Sequence, residues 1–90
     1  MTQVMQLLRQ ARKAAFKKDF AAARALYAEV RTIPGMADDL DVSLRLAYCA
    51  EQVGDVDEAL RIYREVVDTY RNTGEAGAAE ALEAVIVSLE

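Results

Sequence analysis

The strongest constraint on what this chain can fold into is that it writes one segment twice. Shifted by about 36 residues, a spacing near the periods of helical repeats, the stretch from Gln3 to Val30 falls on Asp39 to Val66. Leu8, Arg9, Ala11, Ala14, Asp19, Ala23, Tyr27, Glu29 and Val30 then meet the same residue types at Leu44, Arg45, Ala47, Ala50, Asp55, Ala59, Tyr63, Glu65 and Val66. A unit of this kind cannot bury its own apolar face and is stabilised by stacking on its neighbours. The architecture therefore points to a scaffold before any site is considered.

Each copy carries helical periodicity. Val4, Leu7, Leu8, Ala11, Ala14 and Ala15 predict a helix over about residues 2 to 17, with Thr2 as its N-cap. Asp19 caps a second helix bearing Phe20, Ala23, Leu26, Tyr27 and Val30, which stops before Pro34-Gly35 because that pair cannot continue it. Asp38 or Asp39 opens a third helix with Leu40, Leu44, Leu46, Ala47 and Ala50, and Gly54 supplies the turn. Asp55 with Glu58 three residues on has the form of a capping box for a fourth helix. Asn72-Thr73-Gly74 breaks the chain again before a fifth helix over about residues 75 to 89. The expected whole is one all-α domain over residues 1–90, with hairpins at about 2–33 and 39–71 and a final helix.

A core built this way must be efficient, because ninety residues bury little surface and there is no disulfide to help. The chain is 53% hydrophobic but only 7% aromatic, so its apolar content is mostly Ala, Leu and Val, which suits closely packed helices. The final helix is apolar around most of its circumference, whereas the outer side of a terminal helix should be polar. Leu82, Val85, Ile86, Val87 and Leu89 are accordingly the candidates for self-association, since three consecutive apolar residues cannot all face one neighbour. Three coverings are open: a further helix, a second copy of the chain, or nothing more than a high Ala content. The closing Leu89-Glu90 pair also matches what a common cloning site leaves before a tag, which would make the chain the N-terminal part of a longer protein.

Charge is segregated. Up to Arg31 seven bases (Arg9, Arg12, Lys13, Lys17, Lys18, Arg24, Arg31) face two acids, and from Thr32 onward four Arg face thirteen acids, which together give the net charge of −4. In a stack the two chain ends are also the two ends of the molecule, so the polarity becomes spatial and can steer partners or head-to-tail association.

Catalysis is not expected. The chain has no His, which removes Ser/His and Cys/His dyads and the common imidazole metal ligands. Cys49 stands alone among apolar neighbours as a small core residue, and the lone thiol points to a reducing cytoplasm. Asp38, Asp39 and Asp41 lack the glycine and distal Glu of a calcium loop and read as the acidic start of a helix. No cofactor or metal is expected. The acidic balance disfavours nucleic acid, and no apolar stretch is long enough to span a bilayer.

The segment from Gly54 to Val66, Gly-Asp-Val-Asp-Glu-Ala-Leu-Arg-Ile-Tyr-Arg-Glu-Val, resembles the turn and second helix of the tetratricopeptide repeat family, and Lys18 to Val30 is its counterpart in the first copy. Departures from the pattern are Leu7 and Ser43 where a large aromatic is usual, Ala14 and Ala50 where Tyr is usual, and a longer loop from Thr32 to Asp39. The resemblance implies antiparallel hairpins stacked as a short right-handed solenoid. It also implies a concave groove lined by the first helix of each hairpin, here Met5, Leu8, Arg9, Arg12, Ala15 and Phe16 with Asp41, Leu44, Arg45, Tyr48, Glu51 and Gln52. Arg9, Arg12 and Arg45 would converge there to grip carboxylates with fork geometry, while Met5, Leu8, Leu44 and Tyr48 would give apolar contact. The Lys and Asn clamp with which some members hold a peptide's C-terminal carboxylate is missing, because Leu8, Arg12, Asp41 and Arg45 occupy its positions. The expected function is a non-catalytic protein–protein interaction module that holds an acidic peptide or partner helix in the groove. The alternative is a self-association domain that uses the final helix and the opposed end charges, as a homodimer or a longer stack.

Overall fold

The computed structural model describes residues 2–90. Its elements are α1 (Gln3–Phe16), α2 (Phe20–Arg31), α3 (Leu40–Gln52), α4 (Val56–Asn72) and α5 (Ala76–Leu89), with no strand among the described residues. Each helix packs on the next in sequence, α1 on α2, α2 on α3, α3 on α4 and α4 on α5, as the repeated segment requires.

The helix starts follow from side-chain capping. Thr2 Oγ1 accepts from the Met5 N–H at 3.2 Å, Asp19 Oδ1 from Ala22, Asp39 Oδ1 from Val42 and Asp55 Oδ1 from Glu58. Each satisfies one donor that the first turn leaves without an intrahelical partner. The expected capping box at Asp55 is only half formed. The Glu58 carboxylate pairs with Arg24 of α2 instead of returning to the Asp55 N–H, and that N–H donates to the Ala50 carbonyl at 2.9 Å. The same backbone bond forms at Asp19, whose N–H donates to the Ala14 carbonyl, so the turn itself claims this donor and leaves the Glu58 carboxylate to the ion pair.

Three of the turns share one geometry. Lys18, Gly54 and Gly74 all have positive φ, at 63°, 88° and 80°. The residue after each donates back to the carbonyl five residues earlier, Asp19 to Ala14, Asp55 to Ala50 and Glu75 to Tyr70. The turn from α4 to α5 thus repeats the one inside each hairpin, a third instance beyond the duplicated segment. Lys18 occupies in the first hairpin the left-handed position that Gly54 takes in the second, where a side chain costs energy.

The core is a seam of small residues with larger ones beside it. Ala11, Ala23, Ala47, Ala50 and Ala59 are wholly buried, as are Val30 and Ile62. Tyr27 and Tyr63 fill the wider space, and the Tyr63 hydroxyl donates to Glu51 Oε2 at 3.0 Å. Burial, reinforced by that hydrogen bond, pushes the Tyr63 phenol well above its ordinary value. On α5, Ala79, Leu82 and Ile86 face the core, while Val85 and Val87 point away.

One polar contact ties the two hairpins together. Arg24 of α2 donates to Asp55 Oδ2 at 2.6 Å and also binds Glu58, so its guanidinium sits against the N-terminus of α4. Arg24, with the Glu58 N–H second, holds the Asp55 carboxyl below the usual carboxylate range.

Two predictions follow from this construction. Lys18→Gly should stabilise the fold and Gly54→Ala destabilise it, each by about 1 kcal/mol. A Cβ at Gly54 meets nothing within 4 Å, so backbone strain alone would be read in the denaturant midpoint; no shift in either variant would refute the turn argument. The second concerns acid. A carboxyl with a depressed folded pKa stabilises above its unfolded value, about 4, and loses that contribution as the pH falls toward the folded value. The stability difference between the native chain and Arg24→Met should therefore narrow on acidification through this window, and a difference independent of pH would exclude the ion pair as its source.

Candidate functional site

The main concavity lies where the C-terminal half of α1 faces α3 across the first turn. It is a cleft of about 550 Å³ lined by Arg12, Ala15, Phe16, Lys18, Phe20, Tyr27, Leu44, Arg45, Tyr48 and Cys49. Local sequence explains each wall. Arg12 and Phe16 are four residues apart on one face of α1, and on α3 Tyr48 lies one turn from both Leu44 and Arg45. Phe20 begins α2 and crosses to meet Tyr48 edge to face, with ring centroids 5.8 Å apart and planes at 79°. This contact fixes the cleft floor, since aromatic pairs favour that geometry.

The cleft is basic. Arg12, Lys18 and Arg45 are its charged lining residues, and no carboxylate belongs to it. Arg45 is held in place by Asp41, whose Oδ2 accepts from Nε at 2.9 Å. Among the described residues, Arg12 and Lys18 take part in no ion pair. Phe16 is 89% exposed and Tyr48 49%, so large apolar groups stand in water beside unpaired cations.

A second hollow, of about 320 Å³, lies between α3, α4 and α5 and is lined by Leu44, Tyr70, Ala78, Ala81, Leu82 and Val85. It carries no charged side chain. Leu44 lines both hollows, so the surface they share is basic and aromatic at one end and uncharged at the other.

The structure therefore gathers some of the expected groove residues and not others. Arg12, Phe16, Leu44, Arg45 and Tyr48 come together with Ala15 in the cleft wall. Met5, Leu8, Arg9, Glu51 and Gln52 do not line it, and Asp41 acts only through Arg45. Leu8 packs against the core. The reason for Arg9 is geometric: Arg45 lines the cleft together with Arg12 of the helix one repeat earlier, whereas among the described residues no helix precedes α1 to form such a cleft with Arg9. Of the α5 candidates, Leu82 and Ile86 are buried against α4, Leu89 is half-buried, and Val85 and Val87 remain exposed. Sequence reasoning missed Lys18 and Phe20 as site residues, yet one signal was present: Lys18 stands where the second copy has Gly54, so the first turn alone projects a cation.

Cys49 is the remaining reactive group. It is buried, and burial pushes its thiol up, with Arg45 opposing more weakly. It is therefore a wall atom of the cleft and not a nucleophile in the resting fold. The described residues contain no cluster of His, Cys, Asp and Glu able to hold a metal ion, and none of their helices is long and apolar enough to cross a membrane.

These features define a helical-repeat interaction domain. A family model described as Tetratricopeptide repeat matches residues 14–85, and the chain belongs to that family, whose domains bind protein partners and are typically not catalytic. No curated protein and no solved structure matches the chain.

Cys49 offers a check on the cleft as drawn. In the folded chain a soluble thiol reagent should label it at least about a hundredfold more slowly than in denaturant, because labelling requires opening of the structure. Rapid labelling under native conditions would mean that the cleft floor is open to solvent.

Proposed function

We propose that the domain is a non-catalytic interaction module that binds an acidic, amphipathic segment of a partner protein in the cleft between α1 and α3. The observation that carries this reading is the pairing of charge with exposed aromatic surface. Three cations line the cleft without a carboxylate, next to Phe16 and Tyr48. Planar guanidinium groups grip carboxylates through two parallel hydrogen bonds, and exposed rings gain when apolar side chains cover them. The uncharged second hollow, joined to the cleft by Leu44, suits an aliphatic residue further along the same segment. An occupant with acids at one end and apolar residues at the other matches both.

The reading is tested with fluorescent peptides that combine Asp or Glu with Leu and Phe, against the same peptides with Lys in place of each acid. The acidic set should bind, more weakly as salt rises, and the basic set should not. Arg12→Glu with Arg45→Glu should weaken binding about tenfold or more, the scale of a lost hydrogen bond to a charged group, while helical circular dichroism stays unchanged. Equal binding by the native and doubly reversed chains would sink the proposal.

A further inference from the structure

The second hairpin satisfies a phenol that the first leaves open. There the Tyr63 hydroxyl, carried by α4, donates to Glu51 Oε2 of α3 at 3.0 Å. The matching positions in the first copy are Tyr27 on α2 and Ala15 on α1, so the phenol is repeated and its acceptor is not. Tyr27 is 1% exposed, and among the described residues no oxygen accepts from its hydroxyl. Arg45 lies beside it: the hydrogen bond to Asp41 first, and the Tyr27 phenol after it, hold the guanidinium above its ordinary value. A guanidinium only donates, so it cannot accept the phenol's hydrogen. A methyl group therefore stands in the first hairpin where the second has a carboxylate, and Tyr27 and Ala15 both line the cleft together with Arg12, Lys18 and Arg45.

We propose that a single carboxylate of the bound partner segment takes this place, accepting from the Tyr27 hydroxyl as Glu51 does from Tyr63, while Arg12 and Arg45 neutralise its charge. The inference rests on the cleft reading above and adds to it a residue that sets the register of the segment. The occupant is a carboxylate because the protein itself uses one at the equivalent place, and because the cleft holds three cations and no acid. A donor this buried is costly to leave without an acceptor. Hydrogen bonds to an ionised oxygen are roughly twice as strong as those between neutral groups, so Tyr27 separates a carboxylate from an amide of the same shape. A diffuse basic surface rewards negative charge anywhere along a segment, whereas a phenol at a fixed place rewards it at one position.

The test uses fluorescent acidic peptides of the kind described above, each acid changed singly to its amide, with free and amidated C-termini. With the native chain one change should weaken binding about tenfold or more, the scale of a lost hydrogen bond to a charged group, and the others much less. Whether that change is in a side chain or at the terminus identifies the source of the carboxylate. Tyr27→Phe should bind the parent peptide about tenfold more weakly, and the sensitive change should then cost little, because its partner is gone. Ala15 is half-buried, as Glu51 is, so Ala15→Glu should be accommodated and should block binding by supplying the acceptor from within. Tyr63→Phe should bind as the native chain does, and circular dichroism of each variant separates lost binding from lost fold. If Tyr27→Phe binds as tightly as the native chain, or if every acid counts equally, this inference falls and the basic cleft stands. A native chain that binds none of the peptides overturns both.

Discussion

Close approach of the helix backbones at five wholly buried alanines, Ala11, Ala23, Ala47, Ala50 and Ala59, is the constraint from which the rest of the structure follows. With a methyl group at the crossing, neighbouring helices sit near enough for Tyr27, Val30, Ile62 and Val66 to interlock beside them. The result is a thin core that runs along the stack, and every helix shares it with its neighbours. That is how so small a chain holds together with one cysteine and no intrachain disulfide. It is also why the alternating turns matter: positive φ at Lys18, Gly54 and Gly74 reverses the chain quickly enough to bring consecutive alanine faces together.

Much of this was legible from residues. Asp19, Asp39 and Asp55 mark helix starts because a short side-chain acceptor at that position satisfies local donors, a rule that needs no tertiary knowledge. The paired alanines and tyrosines mark the core because repetition itself identifies which positions meet a neighbour. What sequence could not supply was any contact that breaks the repeat. Arg24 stands where the second copy has Leu60, and Glu58 where the first has Ala22, so the Arg24 bridge to Asp55 and Glu58 has no counterpart to expose it. Of the three arginines, Arg12 and Arg45 line the cleft and Arg9 does not, and the third cation there is Lys18 from the turn, a residue that the repeat replaces by Gly54.

Position in the repeat explains how one helix serves two faces. In this architecture the first helix of each hairpin, α1 or α3, has one flank on the concave surface and another turned to the previous repeat. Inside the stack that second flank is covered, as on α3, where Val42, Leu46 and Ala50 are buried. On α1 the matching positions Gln6 and Gln10 are exposed, while Arg12 and Phe16 line the cleft and Met5 and Arg9 extend the same stripe at helical spacing.

Charge segregation then has a physical sense that composition alone does not give it. The bases before Arg31 populate both α1 faces and the first turn, whereas the acids after Thr32 cap α3 and α4, pair with Arg24, Arg45, Arg61, Arg64 and Arg71, and dominate α5. Most arginines of the second half are thus neutralised by neighbours within the fold, but the cations of α1 are not. The positive potential concentrates around the cleft because the acids that would quench it are already engaged elsewhere. Fields from unpaired surface charge act over roughly a Debye length of 8 Å at physiological ionic strength, comparable to the distance between packed helices, so Arg9 and Lys13 reinforce the cleft cations in attracting acidic surface.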